Sequence, residues 1–591
     1  MKSLYALLFL VIANFSFAQT VSEKVLYTAP AGQQLVDAYS FYNDDKGNYA
    51  YVEYDQTNNV SRLVSNQGNS IYYDVVNNDI KFDNSGTIYS TAYNYRKDTT
   101  YLVEKYFLLR NGQAVADFAS IDSYNAFINS SNEYQSVITE NNMQYIATYS
   151  QDKGLVKAGP YDAVKSIYAE MNYTGEDAGQ TLFKDKNGDY GYVLILGDRA
   201  SYLFGNNLYT TDYTDINEWS FTYDKNQVLS YIAKNNARFY TVTGNEFVVQ
   251  GTKKWAAFGS INYPIKFTKD NVPVYVVVDS VSENIYNSRL VVGDDYYKVY
   301  TDASKKNTVS GYTGGIFDIN VTDNGINFTG STQSITKNKE GYDEYWYKTS
   351  NIINGIETKG YYNQGVPRFN KSGAMLTSGS VKEGELQASL FWTKGKETEV
   401  VSDRKYDGIN DYGFINDGNK IYYIGAIYGN YEKNIKDKSR VFIDGDFIGE
   451  YESVMSQTMD NGSYGTIVFN QSGDYVFATQ NSKETKVNGE SQFEYTSEIV
   501  SSKDVDMPKI PYGKKGFSYI DNLNFIKGGK IFYMGYVYTT DITSEIFPVV
   551  DDKIIGKGYS SVTDFRYNKV TNSATFRGSR GSDIYNVTIQ F

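Results

Sequence analysis

The chain contains no histidine and no cysteine among its 591 residues, and it has only 8 prolines. Without histidine it lacks the usual base at neutral pH and the commonest metal ligand, so Ser-His-Asp and Cys-His nucleophile systems and ordinary zinc sites are excluded. Without cysteine it lacks disulfides and metal thiolates. The chemistry that remains is that of carboxylates, tyrosine, lysine, or calcium held by oxygen ligands.

An excess of basic residues is also missing. The formal net charge is −13 at pH 7 and the sequence pI is about 4.9. Such an acidic chain is repelled by nucleic acid and by anionic membrane surfaces. We therefore predict that nucleic acid is not a partner.

The chain begins with an apolar run in MKSLYALLFLVIANFSFAQT. Lys2 precedes a short apolar core, and Ser16 and Ala18 supply the small residues that favour a cut before Gln19. The core is too short to span a bilayer, and no cysteine follows the cut to carry a lipid anchor. We predict a signal peptide over residues 1–18 and an exported protein that is not an integral membrane protein. Its predicted location is the periplasm, with the extracellular space as the alternative.

Long helical periodicity is nearly absent, whereas tyrosine is abundant, with 59 residues. Apolar runs of five to eight residues, such as YGYVLILG (residues 190–197) and VPVYVVV (residues 272–278), are separated by Gly, Asn and Asp. Short apolar runs bounded by turn residues are typical of strands. The pattern predicts an all-β chain.

One marker recurs along the chain: an aromatic residue, any residue, a small residue, then Ile or Val. Its aromatic residues are Phe118, Tyr161, Phe258, Tyr406, Tyr451 and Tyr559. Two neighbouring spacings are 43 and 45 residues, and two others, 97 and 148, are close to two and three repeats. These spacings indicate a repeat of roughly 48 residues.

Two further markers keep the same period. GNKIYYIGAIY (residues 418–428) is similar to GGKIFYMGYVY (residues 528–538), and Phe-x-x-Ser-Gly occurs at Phe82, Phe369 and Phe469. Turns of this kind are predicted near Gly47, Gly86, Asn142, Gly188, Asn226, Asn271, Gly325, Gly373, Gly418, Gly473, Gly529 and Asn572. A second turn with glycine lies between neighbours, so each repeat has four strands, which is the size of a propeller blade.

Twelve blades exceed an ordinary single ring. We predict two tandem β-propellers of about six blades each, over residues 19–305 and 306–591, with seven plus five blades as the alternative. Residues 562–591 supply about half a blade, and residues 21–40 could supply another half.

The dipeptide Asp444-Gly445 in VFIDGDFIGEYESV illustrates how these turns are interpreted. It could be a functional carboxylate beside a mobile glycine or a bend between two strands. Its counterpart in YFLLRNGQAVADFASI is Asn111-Gly112, which has no carboxylate. Since Asp, Asn and Gly accept the positive φ of tight hairpins, we predict a turn.

The Phe-x-x-Ser-Gly turn and the strand after it resemble the WD40-like repeat of TolB-type propellers, although that family's proline is missing here. The signal ending in FAQ and the Tyr/Asn/Lys-rich composition look like proteins of the Bacteroidota. The resemblance implies a periplasmic propeller that makes protein–protein contacts, similar to subunits that dock on outer-membrane translocons, including the plug of the type 9 system. It brings no catalytic residues with it.

The sequence provides no catalytic, cofactor-binding or metal-ligating residue that we can name. Asp185, Asn187 and Asp189 alternate around Gly188 as in a calcium loop, but the distal glutamate is missing, so a hairpin turn is favoured. The aromatic pairs Tyr296-Tyr297, Tyr361-Tyr362 and Tyr345-Trp346 could form a contact patch or belong to ordinary strands.

We predict a protein that is not an enzyme and needs no cofactor. Its predicted function is that of a protein-interaction module docked on an outer-membrane channel or secretion translocon. One alternative is a glycan-binding or glycan-processing propeller. The other is an outer-membrane β-barrel, because the final strand, with Tyr585, Val587, Ile589 and Phe591 at alternate positions, suits either a closing blade strand or a barrel strand.

Overall fold

A computed structural model describes residues 19–29, 41–55, 57–96, 103–169, 182–235, 245–282, 285–323, 325–337, 341–362, 364–394, 397–430, 435–458, 464–487, 490–503, 505–538 and 544–591. The predicted signal peptide lies outside these residues. Within them, the repetitive structure is almost entirely β-strand, as the sequence predicts. The strands follow in chain order, grouped by sheet.

The first strand, β1 (Thr20–Thr28), belongs to the last sheet. The first sheet contains β2 (Phe41–Asn43), β3 (Tyr49–Asp55) and β4 (Val60–Ser65). The second sheet contains β5 (Val75–Val76), β6 (Lys81–Phe82), β7 (Ile88–Tyr95), β8 (Val103–Arg110) and β9 (Gln113–Phe118). The third contains β10 (Ile121–Ile128), β11 (Tyr134–Glu140), β12 (Met143–Ser150) and β13 (Gly154–Tyr161). The fourth contains β14 (Ala163–Ser166), β15 (Gly191–Leu196), β16 (Arg199–Phe204) and β17 (Asn207–Thr210).

The fifth sheet contains β18 (Asp215–Ile216), β19 (Thr222–Tyr223), β20 (Leu229–Asn235), β21 (Asn245–Gln250) and β22 (Lys253–Lys254). The sixth contains β23 (Ile261–Phe267), β24 (Pro273–Ser282), β25 (Ile285–Val292) and β26 (Asp295–Tyr296). The seventh contains β27 (Gly315–Thr322), β28 (Gly325–Lys337), β29 (Asp343–Ile353), β30 (Ile356–Glu357) and β31 (Tyr361–Tyr362). The eighth contains β32 (Arg368–Phe369), β33 (Met375–Gly379), β34 (Ser389–Lys394) and β35 (Glu397–Val400).

The ninth sheet contains β36 (Gly408–Phe414), β37 (Ile421–Ile427), β38 (Lys438–Ile443) and β39 (Asp446–Tyr451). The tenth contains β40 (Ser453–Val454), β43 (Val468–Phe469), β44 (Tyr475–Val487) and β45 (Glu490–Ser501), while β41 (Gln457–Thr458) pairs only with β42 (Tyr464–Gly465). The eleventh contains β46 (Tyr519–Phe525), β47 (Ile531–Tyr538), β48 (Ser544–Val550) and β49 (Lys553–Ile554). The last contains β50 (Ser561–Asn568), β51 (Ser573–Arg580), β52 (Asp583–Gln590) and, beside β52, the N-terminal strand β1.

Successive antiparallel sheets of about four strands in chain order are the blades of a β-propeller. Among the described residues there are twelve such sheets, the number that the repeat predicts. The predicted fold class, an all-β propeller of four-stranded blades, is therefore confirmed.

The chain divides into two compact units. One holds the chain up to Tyr51 together with Asn410–Phe591, and the other holds most of the chain from Val52 to Ile409. This division does not follow the predicted boundary at residue 305. The arrangement as two rings of about six blades stays a prediction.

The predicted turns lie where the repeat requires them, with one exception. Eleven of the twelve lie directly before or at the start of the second strand of a blade, where two short segments such as β5 and β6 are counted as one strand, and most contain a residue with positive φ. Asn142 instead joins the second and third strands of its sheet, β11 and β12, and the matching first turn contains Asn132 (φ 66°). Neither turn contains glycine, so the sequence did not distinguish them.

The first turn of many blades is closed by an Asp or Asn side chain. Its carboxylate or amide oxygen accepts hydrogen bonds from the backbone N–H groups two and four residues later, an arrangement that stabilises a tight turn. The residues in this role are Asp44, Asp83, Asp185, Asp224, Asn370 and Asn470. This position directly follows the Phe of the Phe-x-x-Ser-Gly marker, and the sequence analysis did not single it out.

We expect Asp224→Ala to destabilise the protein by about 1–3 kcal/mol, because it removes a buried acceptor and leaves partly buried donors without their partner. The Asp224 carboxylate is buried and also accepts a hydrogen bond from Gln250 Nε2 at 2.7 Å. Asp224→Asn keeps the turn acceptor and should cost less. The measurement is chemical denaturation, with the exposed Asp45→Ala as the control; equal losses from all three changes would contradict this role.

The aromatic marker lies at the crossovers between blades. Phe118 and Ile121 are the end of β9 and the start of β10, and Tyr451 and Ser453 are the end of β39 and the start of β40. The marker is therefore a structural element of the repeat.

A second contact between blades was not expected from sequence. In three sheets, an aromatic ring from the crossover packs against a glycine in the second strand. A Cβ added to that glycine would lie only 2.4–2.6 Å from the nearest ring atom. The pairs are Tyr312 with Gly330, Phe517 with Gly535, and Tyr559 with Gly578. The backbone of each ring-bearing residue also pairs with the third strand of the preceding sheet.

Asp444 and Gly445 form the turn between β38 and β39, with φ of 54° and 90°. Asn111 and Gly112 form the same turn between β8 and β9, with φ of 47° and 78°. Both residues of a two-residue type I′ turn need positive φ. The predicted hairpin turn is confirmed.

Candidate functional site

The hairpins β28–β29 and β44–β45 are longer than an ordinary blade hairpin such as β11–β12. β28 and β29 have 13 and 11 residues, and β44 and β45 have 13 and 12, whereas β11 and β12 have 7 and 8. At about 3.3 Å per residue, the extra length projects the hairpin by about 15 Å. Both long hairpins carry exposed aromatic side chains near their outer ends.

The outer part of β28–β29 exposes Ile335, Tyr342 and Tyr345, at 52%, 72% and 54% of their surface. Ile335 and Tyr345 are register partners and therefore lie side by side on one face of the hairpin. In β45, Phe493 and Tyr495 are 54% and 43% exposed, with ring centroids 6.5 Å apart. Single exposed apolar residues are ordinary, but paired aromatic residues on a projecting hairpin are typical of contact surfaces.

The inner part of the β28–β29 face forms one side of a cleft of about 470 Å³. Thr329, Ser331 and Thr349 lie on its floor, and Phe317 and Tyr347 stand at its sides, 52% and 47% exposed. The segment 364–367, which leads into β32, also lines the cleft. We call this space the β27–β29 cleft.

Two amide groups are incompletely paired: that of Gln364, which lines the cleft, and that of Asn351, the register partner of Thr329 in β29. Asn351 Oδ1 accepts hydrogen bonds from Thr329 Oγ1 and Gln364 Nε2, each at 3.2 Å. Among the described residues, Asn351 Nδ2 and Gln364 Oε1 have no hydrogen-bond partner, although both atoms are buried. An unpaired buried polar atom costs about 1–3 kcal/mol, which a suitable ligand would recover.

Asp318 also lines the cleft and belongs to a bulge of β27 between Phe317 and Asn320. Its φ of 52° belongs to the bulge. Loss of hydration raises the pKa of Asp318, and the positive charge of Arg368 opposes that shift. Asp318 is the one acidic residue that lines this cleft.

A second polar cluster surrounds Glu133, in a cavity of about 360 Å³ between β11–β13 and the β16–β17 turn. Glu133 accepts hydrogen bonds from Asn129, Asn206 and Lys153 at 2.9–3.1 Å. Burial alone would raise the pKa of Glu133, but these three donors lower it. The carboxylate is therefore satisfied by the protein itself.

The residues that alternate as in a calcium loop have structural roles in and beside a turn. Asp185 closes the turn, and Asp189 accepts hydrogen bonds from Ser130 N–H and Ser130 Oγ at 2.5 and 2.7 Å. In the part of the chain that the structure describes, no cluster of three or more acidic residues is arranged to hold a metal ion.

The predicted aromatic pairs divide between core and surface. Tyr361 is 2% exposed and stacks on Phe391 with ring centroids 4.1 Å apart, so it belongs to the core. Tyr296 and Tyr345 are exposed. Of these pairs, Tyr345 and Trp346 are part of the long β28–β29 hairpin. No pattern in the sequence indicated this, because the length of a hairpin depends on the strand register.

No family model matches the chain, and no curated protein matches it. Solved structures resemble it, and one of them is described as a β-propeller domain. The chain is 11% identical to the tricorn protease (TM-score 0.23) over 92% of this chain, and it spans 60% of that protein. It is 10% identical to the β-propeller domain of the Trilobed protease from Pyrococcus furiosus (TM-score 0.20), over 46% of this chain and 92% of that one.

It is also 10% identical to an oligogalacturonate lyase in complex with manganese (TM-score 0.22), over 61% of this chain and 95% of that one. At this level of identity the likeness concerns the fold alone. The prediction that the chain is not an enzyme is wrong, because the solved structures similar to it include a protease, this lyase and a puromycin hydrolase. The fold therefore gives no ground for a non-catalytic assignment.

Within the described residues, we find no helix with the length and apolar character that crossing a membrane would require.

Proposed function

We propose that this protein binds another protein through its two long hairpins, in the periplasm, with an outer-membrane channel or secretion translocon as the partner. The observation that carries the proposal is the set of exposed aromatic side chains on β28–β29 and β45. Tyrosine and phenylalanine are enriched at protein interfaces because they bury a large area with few rotatable bonds.

The predicted export signal and the resemblance to periplasmic propellers support the proposed location and partner. The charge of the chain supports the class of partner, since a net charge of −13 disfavours nucleic acid and anionic lipid. A protein partner also suits a hairpin that projects from a blade, because both its faces can be buried at once.

The test is capture of the full-length protein, tagged at Phe591 and expressed from its own locus in its source organism, in mild detergent. We expect an outer-membrane channel or translocon to co-elute in near-equal amount. The paired changes Tyr342→Ser/Tyr345→Ser and Phe493→Ser/Tyr495→Ser should each reduce its yield by about 30-fold or more, as loss of a hot spot of about 2 kcal/mol requires.

The matched control is Tyr209→Ser, which removes a tyrosine that is 43% exposed on β17, outside both hairpins. It should leave the yield unchanged. Recovery of the protein alone, or equal capture by all variants, would rule out the hairpins as the docking element. Thermal unfolding of each variant shows whether a loss reflects contact or folding.

A further inference from the structure

The β27–β29 cleft lies where the corresponding face of the eleventh sheet is packed with apolar side chains. Gly330 in β28 and Gly535 in β47 both lie under an aromatic ring, so the two sheets can be aligned on these glycines. Register then matches Thr329 with Met534, and Thr349 with Ile546. In the eleventh sheet these apolar side chains are buried in a hydrophobic cluster, whereas in the seventh the same face carries hydroxyl groups and borders an open cleft.

Polar side chains at these positions require an explanation, because a buried hydroxyl or amide group costs free energy unless it is hydrogen-bonded. Asn351 Nδ2 needs an acceptor and Gln364 Oε1 needs a donor. A sugar hydroxyl is both donor and acceptor, so vicinal hydroxyl groups can satisfy both amides. The cleft volume of about 470 Å³ is within the usual range for small-molecule sites.

The aromatic side chains that line the cleft suit the apolar C–H face of a sugar ring. Phe317 and Tyr347 are half-exposed in the cleft and offer aromatic faces for the apolar C–H surface of a pyranose. The hydroxyl groups of Thr329, Ser331 and Thr349 carry no charge, so a neutral ligand fits the floor better than an ion. We propose that the β27–β29 cleft binds a neutral sugar residue, with its hydroxyl groups on the Asn351 and Gln364 amides and its ring against Phe317 and Tyr347.

This site is distinct in chemistry from the proposed protein-docking surface, although both use β28–β29. The docking surface lies at the outer end of the hairpin, at Tyr342 and Tyr345, while the sugar site lies at its base. The two proposals can therefore fail separately.

The test uses the full mature chain and the methyl glycosides of glucose, galactose, mannose and N-acetylglucosamine. Saturation-transfer NMR should show transfer to at least one of them, and titration calorimetry gives its Kd. Phe317→Ala and Gln364→Leu should each weaken that binding by at least tenfold. Phe317 is half-exposed, so its truncation leaves the core intact.

Tyr342→Ser/Tyr345→Ser is the control and should keep the wild-type Kd for the sugar. Thr329→Val is a second cleft variant of nearly equal volume, which removes one hydroxyl group and should also weaken binding. Transfer to none of the four glycosides would overturn the proposal. So would transfer that persists unchanged in Phe317→Ala and Gln364→Leu, because the sugar would then be bound elsewhere.

Discussion

A chain shortened to start at residue 30 is expected to aggregate and to unfold at a markedly lower temperature than the intact protein. Its missing segment contains β1, which pairs along β52 from Thr20 with Gln590 to Thr28 with Asp583. Without it, the backbone groups of β52 form an open sheet edge, which is a template for association with other chains.

The deletion also removes the partner of a partly buried cation. Arg580 Nη1 and Nη2 each donate to a Glu23 carboxylate oxygen at 2.7 Å, and the hydroxyl of Tyr559 donates to Glu23 Oε1 at 2.6 Å. Leaving this partly buried charge unpaired is destabilising, in addition to the lost strand pairing. Thermal unfolding and light scattering measure the two effects.

A synthetic peptide of residues 19–29 supplies the control. Added in excess to the shortened chain, it should restore part of the stability, because strand addition to an open edge needs no covalent link. The same peptide with Glu23→Ala should restore less. A shortened chain that is as stable and monodisperse as the intact protein would show that β1 does not support the last sheet.

The same ion pair predicts a pH dependence. The hydrogen bond from Arg580, together with that from Tyr559, overcomes burial and lowers the pKa of Glu23 to about 2. A lowered pKa in the folded state stabilises the protein above the ordinary value of about 4.5, and this contribution is lost as the pH falls towards 2. The difference in unfolding free energy between wild type and Glu23→Gln should be about 2 kcal/mol near neutral pH. It should shrink below about pH 4.5, and a difference that stayed constant down to pH 2 would contradict the assignment.

The blade repeat was predictable because its signals are local. Residues such as Gly86 and Gly473 have positive φ, which glycine adopts readily, so the residue type itself indicates the turn. The spacing of these turns sets the length of a blade. The one turn that was misplaced, Asn142 for Asn132, lies in a blade whose two turns both use asparagine.

Pairing between distant segments was not predictable in the same way. Residues 562–591 were expected to supply about half a blade, and residues 21–40 were named as a source of the other half. Residues 562–591 instead form most of three strands, and β1, from the other end of the chain, adds the fourth strand of the sheet. No local pattern in either segment specifies a partner more than 500 residues away. The β27–β29 cleft was missed for a related reason, since Thr329 and Thr349 alternate along their strands as solvent-facing residues would.

The second large effect is expected at Gly535, where Gly535→Ala should cost about 1–3 kcal/mol and Gly535→Val more. A Cβ at this position would lie 2.4 Å from Cε1 of Phe517, whose side chain is fully buried. The backbone at Gly535 is not in the left-handed region, so the cost arises from the contact with the ring and not from φ.

A double-mutant cycle separates this contact from a general loss of packing. Phe517→Leu removes the ring edge and is destabilising alone, but it should make Gly535→Ala nearly neutral when the two are combined. Gly581→Asn is the matched glycine control: it lies in the β51–β52 turn at φ 59°, where asparagine is accepted and no atom lies within 4 Å of the added carbon. If the costs of Gly535→Ala and Phe517→Leu were additive in chemical denaturation, the ring would not be what excludes a side chain. Non-additivity would instead show that the crossover aromatic and the second-strand glycine form one packing unit, so that a larger residue at Gly330 or Gly578 should be rescued by trimming Tyr312 or Tyr559 in the same way.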